Sequence, residues 1–178
     1  KNKKTILLFN LAAIMMLALA IVSFLLFKPV ALPIKLSLPF ILVLMIGMIS
    51  YIVLHELTHG FVYKIYTKEK LTFGLTLSVA FCGVPHIYVS KKVALIAVLA
   101  PFIVFSILLI PILIVIPANS IYLALVFIFA IHFSGCVGDL YVAFTLLRLK
   151  GKVLMNDTGP KQTFYQLEEI DTDKPTDD

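Results

Sequence analysis

The sequence predicts a polytopic α-helical membrane protein, with four transmembrane helices and a membrane-associated β-hairpin between the second and the third. Three observations carry that prediction. Hydrophobic residues make up 61% of the 178 positions and charged residues only 14%, against roughly 25% charged in a soluble globular domain. The apolar residues fall into four runs long enough to cross a hydrocarbon core, which takes roughly 20 residues. The basic residues sit in short clusters beside those runs, as membrane topology requires. A net charge of +5 distributed in this way points to a lipid bilayer as the partner, and not to nucleic acid.

The first run, Ile6 to Phe27, follows "KNKK". It exceeds the roughly 7–15 apolar residues of a cleavable signal segment and no A-x-A site follows it, so it is expected to be a retained helix. The second extends from Leu38 to about Val62, the third from Val93 to Ile116, and the fourth from Ile121 to Leu147. Pro111 is expected to kink the third. Between the second and third lies "LTFGLTLSVAFCGVPHIYVS", Leu71 to Ser90, which carries no Lys, Arg, Asp or Glu. Its strand formers Thr72, Phe73, Thr76, Leu77, Val79 and Phe81, broken by Gly74 and Gly83 and turned at "CGVP", predict a hairpin at the membrane surface. After about residue 153 the chain becomes polar, and "EEIDTDKPTDD" reads as a disordered tail. The expected organisation is therefore a first helix and short outer loop (1–37), a membrane core containing hairpin 71–90 (38–152), and a cytoplasmic polar tail (153–178).

Charge fixes the direction of the spans. Lys1, Lys3 and Lys4 precede the first helix; Lys64, Lys68, Lys70, Lys91 and Lys92 flank the hairpin; Arg148, Lys150, Lys152, Lys161 and Lys174 follow the fourth helix. Only Lys28 and Lys35 fall on the other side, so the positive-inside rule places both termini and the hairpin in the cytoplasm. A fifth span through the hairpin would move Lys91, Lys92, Arg148, Lys150 and Lys152 outside, against that rule.

Of the ten acidic residues, only Glu56 and Asp139 fall within the spans. An ionisable group at mid-membrane costs at least about 2.5–3.5 kcal/mol and is by default a functional candidate. At a rise of about 1.5 Å per residue, His55 and Asp139 lie roughly 26 and 29 Å from the outer ends of their helices. They therefore share one level, towards the cytoplasmic side. Glu56 belongs to "HELTH", His55 to His59. Histidines at i and i+4 share a helix face and can chelate one ion, with the glutamate beside them. Two imidazoles and a carboxylate, Asp139, leave a tetrahedral Zn²⁺ one open position for water, the pattern of a catalytic site. Glu56 would take the proton of that water. His132, two turns before Asp139, and Cys136, three residues before it, are placed to line the cleft or to pack the bundle. His86 is expected to be solvated or structural. Cys82 and Cys136 have no metal-ligand spacing between them and predict no disulfide.

With "HELTHG" on the second helix, the glycine-punctuated hairpin, the opening "LAPFIVF" and "GCVGDLY" on the fourth helix, the sequence resembles a family of short bacterial membrane zincin peptidases, distantly similar to the site-2 proteases. The resemblance covers roughly Leu38 to Asp157. It implies one zinc per chain held by His55, His59 and Asp139, with Glu56 as general base. The site-2 pattern places its aspartate in an Asn-containing stretch ending in L-D-G, whereas this chain reads G-D-L without a nearby asparagine, so the resemblance assigns no oxyanion stabiliser. No PDZ or CBS domain accompanies the core.

The reading that follows is an intramembrane zinc metalloprotease of the cell membrane, cleaving membrane-anchored peptide or protein substrates. An extended substrate would add as a strand to the hairpin at Gly74, Leu75, Thr76 and Leu77. A non-hydrolytic metal-binding protein (a scaffold, an immunity protein or a metal carrier) is the alternative. A carrier fits poorly, since the outer halves of the helices hold no charged residue to build a polar route.

Overall fold

The structure, a computed structural model, describes residues 3–30, 37–76 and 80–167. Helix α1 is Lys3–Phe27, α2 is Leu38–Thr67, and α3 is Lys91–Val115. Helix α4, Ser120–Gly135, is followed after one residue by α5, Val137–Arg148. Four segments, Lys3–Phe27, Leu38–Thr67, Lys91–Val115 and Ser120–Arg148, are long and apolar enough to cross a membrane. Their outward faces expose Leu, Ile, Val, Met and Phe side chains in contiguous rows, among them Leu8, Met15, Leu38, Ile49, Ile107 and Leu147. Exposure on that scale suits a lipid environment and not water.

Local chemistry sets the helix ends. The Ser37 hydroxyl accepts from the Phe40 N–H and Ser90 from that of Val93, while the Asn119 side chain accepts from the Ile121 and Tyr122 N–H groups. Each satisfies donors that have no partner inside the first turn. Helix α2 runs beyond Val62 to Thr67, and ends where Lys68 enters the left-handed region at φ 59° and bonds Lys64 O. Helix α3 continues through both Pro101 and Pro111. At its far end the Lys28 ammonium, from just past α1, donates to the carbonyls of Leu113, Ile114 and Ile116 at 3.3, 2.8 and 2.7 Å. A cation there answers the unpaired carbonyls and the negative end of the helix dipole.

Helix α4 is the centre of the bundle and packs against α1, α2 and α3. Tyr122, Ala124, Val126 and Ala130 are fully buried on it. The expected single helix 121–147 is broken at Cys136. Ser134 and Gly135 stand immediately before the break, and Gly/Ser pairs are a recognised site of helix kinks. The break puts Asp139 in the first turn of α5, where a carboxylate meets the positive end of the dipole.

The hairpin is shorter than expected. Strands β1 (Thr72–Leu75) and β2 (Ala80–Gly83) pair antiparallel, with Thr72 opposite Gly83 and Leu75 opposite Ala80. The second half of the segment, "HIYVS", does not join them. His86 is exposed in a turn, and β3 (Val89–Ser90) pairs instead with β4 (Lys152–Asp157), which pairs with β5 (Gln162–Leu167). The stretch from 153, expected to begin a polar tail, is therefore part of a strand, and the expected boundary between 152 and 153 falls inside β4. The physical reason is alternation: Val153, Met155 and Asp157 point inward and are buried, while Leu154 and Asn156 are half-buried. Val153 and Met155 join Val84, Ala94, Val98 and Leu146 in one core beneath the helices. "EEIDTDKPTDD" lies outside the described residues.

Candidate metal centre

Helix α2 carries a buried stripe at four-residue spacing: Tyr51, His55, His59 and Tyr63. The spacing puts all four on one face, and the neighbours opposite decide what each does. Ala97 on α3 offers its carbonyl to His59 Nδ1 at 2.8 Å. A carbonyl can only accept, so Nδ1 carries the proton and Nε2 presents a lone pair. His55 Nε2 lies 3.2 Å from His59 Nε2, and Asp139 completes a triangle, with Oδ2 at 3.3 Å from His55 Nε2 and Oδ1 at 3.6 Å from His59 Nε2.

The arrangement fits a divalent cation. Asp139 Oδ2 is buried and accepts no hydrogen bond, a costly state for a carboxylate oxygen left on its own. Ligand atoms about 2.0–2.2 Å from a tetrahedral zinc are themselves separated by roughly 3.3–3.6 Å, close to the 3.2 Å between the two Nε2 atoms and the 3.3 and 3.6 Å from each to its nearer Asp139 oxygen. The three residues also form a group whose donor atoms all lie within 4.8 Å of one another.

A family model whose description reads "Putative zincin peptidase" matches residues 48–154. The chain belongs to this zincin peptidase family. No curated protein and no solved structure matches the chain. In this family member the matched segment starts on α2 before the histidines and ends in β4, so it contains every residue of the centre.

A cavity of about 390 Å³ opens onto the centre, and His55, Glu56, His59 and Asp139 all line it. Ala80, Phe81 and Cys82 of β2 form one wall. Gly74 and Leu75 of β1 do not reach this cavity; they line a second, almost wholly apolar groove of about 610 Å³ with Ile49, Ile52, Val53 and Leu57. The two spaces meet at Glu56, Ala80 and Phe81. Thr76 is exposed, and Leu77 lies outside the described residues. His132 and Cys136 do not line the cavity either. Both are fully buried behind His55, and with His55 they make a second close group of donors.

The opposite wall was not foreseen from the sequence. Asp157, Gly159, Pro160, Gln162 and Phe164, from β4, its turn and β5, line the cavity facing β2. The Tyr63 hydroxyl donates to Asp157 Oδ2 at 2.6 Å, the Gly159 N–H donates to Oδ1 at 2.8 Å, and the Val84 N–H donates to the Asp157 carbonyl at 2.8 Å. Burial pushes the Asp157 carboxyl above its ordinary range although both of those side-chain bonds pull the other way. Burial, reinforced by the Glu56 and Asp157 carboxylates, also pushes the Cys82 thiol up to about 12. Cys82 is thus a neutral, unreactive wall of the cleft. The signal that could have flagged this wall was the inward alternation of "VLMND", overshadowed by the polar residues after it.

Proposed function

We propose that this protein is a zinc metallopeptidase acting within or at the membrane on extended segments of membrane-anchored peptides or proteins. The observation that carries the reading is the convergence of His55 Nε2, His59 Nε2 and an unpaired, buried Asp139 oxygen in a cavity shared with Glu56. Membership of the zincin peptidase family supports it.

His55, His59 and Asp139 would hold the ion. Bound zinc supplies a Lewis acid that polarises a carbonyl and acidifies water at neutral pH. The Ala97 carbonyl holds His59 in the tautomer that offers Nε2. Glu56 is the general base that takes a proton from the attacking water and returns it to the leaving amine. Strand β2, lining the cavity with Ala80, Phe81 and Cys82, is the backbone along which a substrate would be laid out. An unwound segment is required, since helical carbonyls are already bonded. The apolar groove that meets the cavity at Glu56 suits side chains entering from lipid. The distribution of basic residues supports cytoplasmic termini and a centre near the cytoplasmic face.

The deciding experiment measures zinc content and cleavage of membrane-anchored peptide reporters for wild type and Glu56→Gln. About one zinc in both, with cleavage in wild type only and a loss of at least about a hundredfold in the variant, is the expected result. Zinc bound without cleavage of any reporter by wild type favours a non-hydrolytic metal protein, and absence of zinc removes the reading.

A further inference from the structure

The metal-facing edge of His55 depends on what its other edge touches. His55 Nδ1 lies 2.9 Å from the Tyr51 hydroxyl, which is also 3.3 Å from His132 Nδ1. His132 Nε2 lies 3.2 Å from Ser106 Oγ. A chain of polar groups thus runs from α2 through α4 to α3, enclosed by the rings of Phe102, Phe105 and Phe129. We infer that Tyr51 and His132 are positioning residues that hold His55 in the tautomer with its proton on Nδ1, leaving the Nε2 lone pair free for the ion. The inference rests on the metal-binding part of the proposed function.

The direction of each bond follows from the ion. A cation between His55 and His59 needs the His55 Nε2 lone pair, so the His55 proton sits on Nδ1 and donates to the Tyr51 oxygen. The Tyr51 O–H then turns towards His132 Nδ1, whose other neighbour is the Cys136 thiol at 3.6 Å, a weak donor. His132 carries its proton on Nε2, and Ser106 Oγ accepts it. The competing arrangement, with Tyr51 donating to His55 and His55 Nε2–H donating to Asp139 Oδ2 at 3.3 Å, leaves His132 Nδ1 with the thiol alone and blocks the ion's position. Such outer partners of metal-binding histidines typically contribute tenfold to a hundredfold in metal affinity.

The test uses the full chain in detergent. The sequence has only four histidines, so their ring nitrogens can be assigned one by one in ¹⁵N-histidine-labelled, zinc-loaded protein, and two-bond ¹H–¹⁵N couplings report each tautomer. His132 is expected to hold Nε2–H in wild type and to lose that preference in Tyr51→Phe, which keeps the ring and removes only the hydroxyl. Zinc affinity should fall about tenfold to a hundredfold in Tyr51→Phe and in His132→Leu. It should be largely restored in His132→Gln, whose amide oxygen again accepts from Tyr51. Circular dichroism checks that each variant is folded. The same His132 tautomer in wild type and Tyr51→Phe overturns the inference, as does an unchanged zinc affinity in Tyr51→Phe. A wild-type protein that binds zinc and shows both changes on substitution, yet cleaves no reporter, upholds the positioning role and removes the peptidase reading alone.

Discussion

Asp157 and Asp139 are both buried carboxylates, and their surroundings give them different work. Asp139 faces two imidazoles and keeps a bare oxygen, whereas Asp157 is bonded through both oxygens by Tyr63 and Gly159 and pins the cavity wall. The Asp157 carboxyl titrates above the ordinary range, so the folded chain holds that proton more tightly than the unfolded one. Its stabilising effect is complete below the ordinary carboxylate range and is lost as pH rises through the raised value, at about 1.4 kcal/mol for each pH unit separating the folded and unfolded titrations. Thermal unfolding followed across that acidic window should therefore show wild type losing stability with rising pH relative to Asp157→Asn; parallel curves would contradict the assignment. Residue-scale chemistry was largely legible in the sequence where a charge stood in an apolar run. Glu56 and Asp139 stood out as the only carboxylates in the spans, and the i, i+4 spacing of His55 and His59 supplied the face. Tyr51 and Tyr63 did not stand out, because a tyrosine in a membrane helix is ordinary and its hydroxyl's partner lies on another element.

At the scale of elements, the docking of the β4–β5 turn onto β2 is the contact most open to a direct challenge. A Cβ added at Gly83 would lie 2.8 Å from the Asp157 carbonyl oxygen and 2.8 Å from the Thr158 carbonyl carbon, and backbone cannot step aside as a flexible side chain can. Gly83→Ala should therefore destabilise by about 1–3 kcal/mol and make the turn at 158–161 more accessible to limited proteolysis, with zinc affinity reduced less than cleavage. Normal melting and normal proteolysis would show that the turn does not dock this way. The helices were readable from hydropathy alone, because length and apolarity decide a span. The sheet was not: β3 has two residues, and its partner β4 lies beyond three helices, α3, α4 and α5, so no local pattern announces the pairing. The break at Cys136 was likewise hidden, since the glycines read equally well as close-packing positions.

For the whole molecule, the expected orientation can be read with thiols. Cys82 and Cys136 are buried, so a cysteine added on an exposed position is the reactive one. Ala118→Cys, exposed between α3 and α4, should react on intact cells with a membrane-impermeant maleimide, and Tyr165→Cys, exposed on β5, only after permeabilisation. The reverse pattern would invert the topology. One further property follows from where the second wall of the cavity is encoded. Gly159, Pro160, Gln162 and Phe164 follow the four candidate spans among the described residues, so a chain made only as far as α5 has a pocket open on that side. On the peptidase reading, cleavage is expected to need β4 and β5 as well as the helical core.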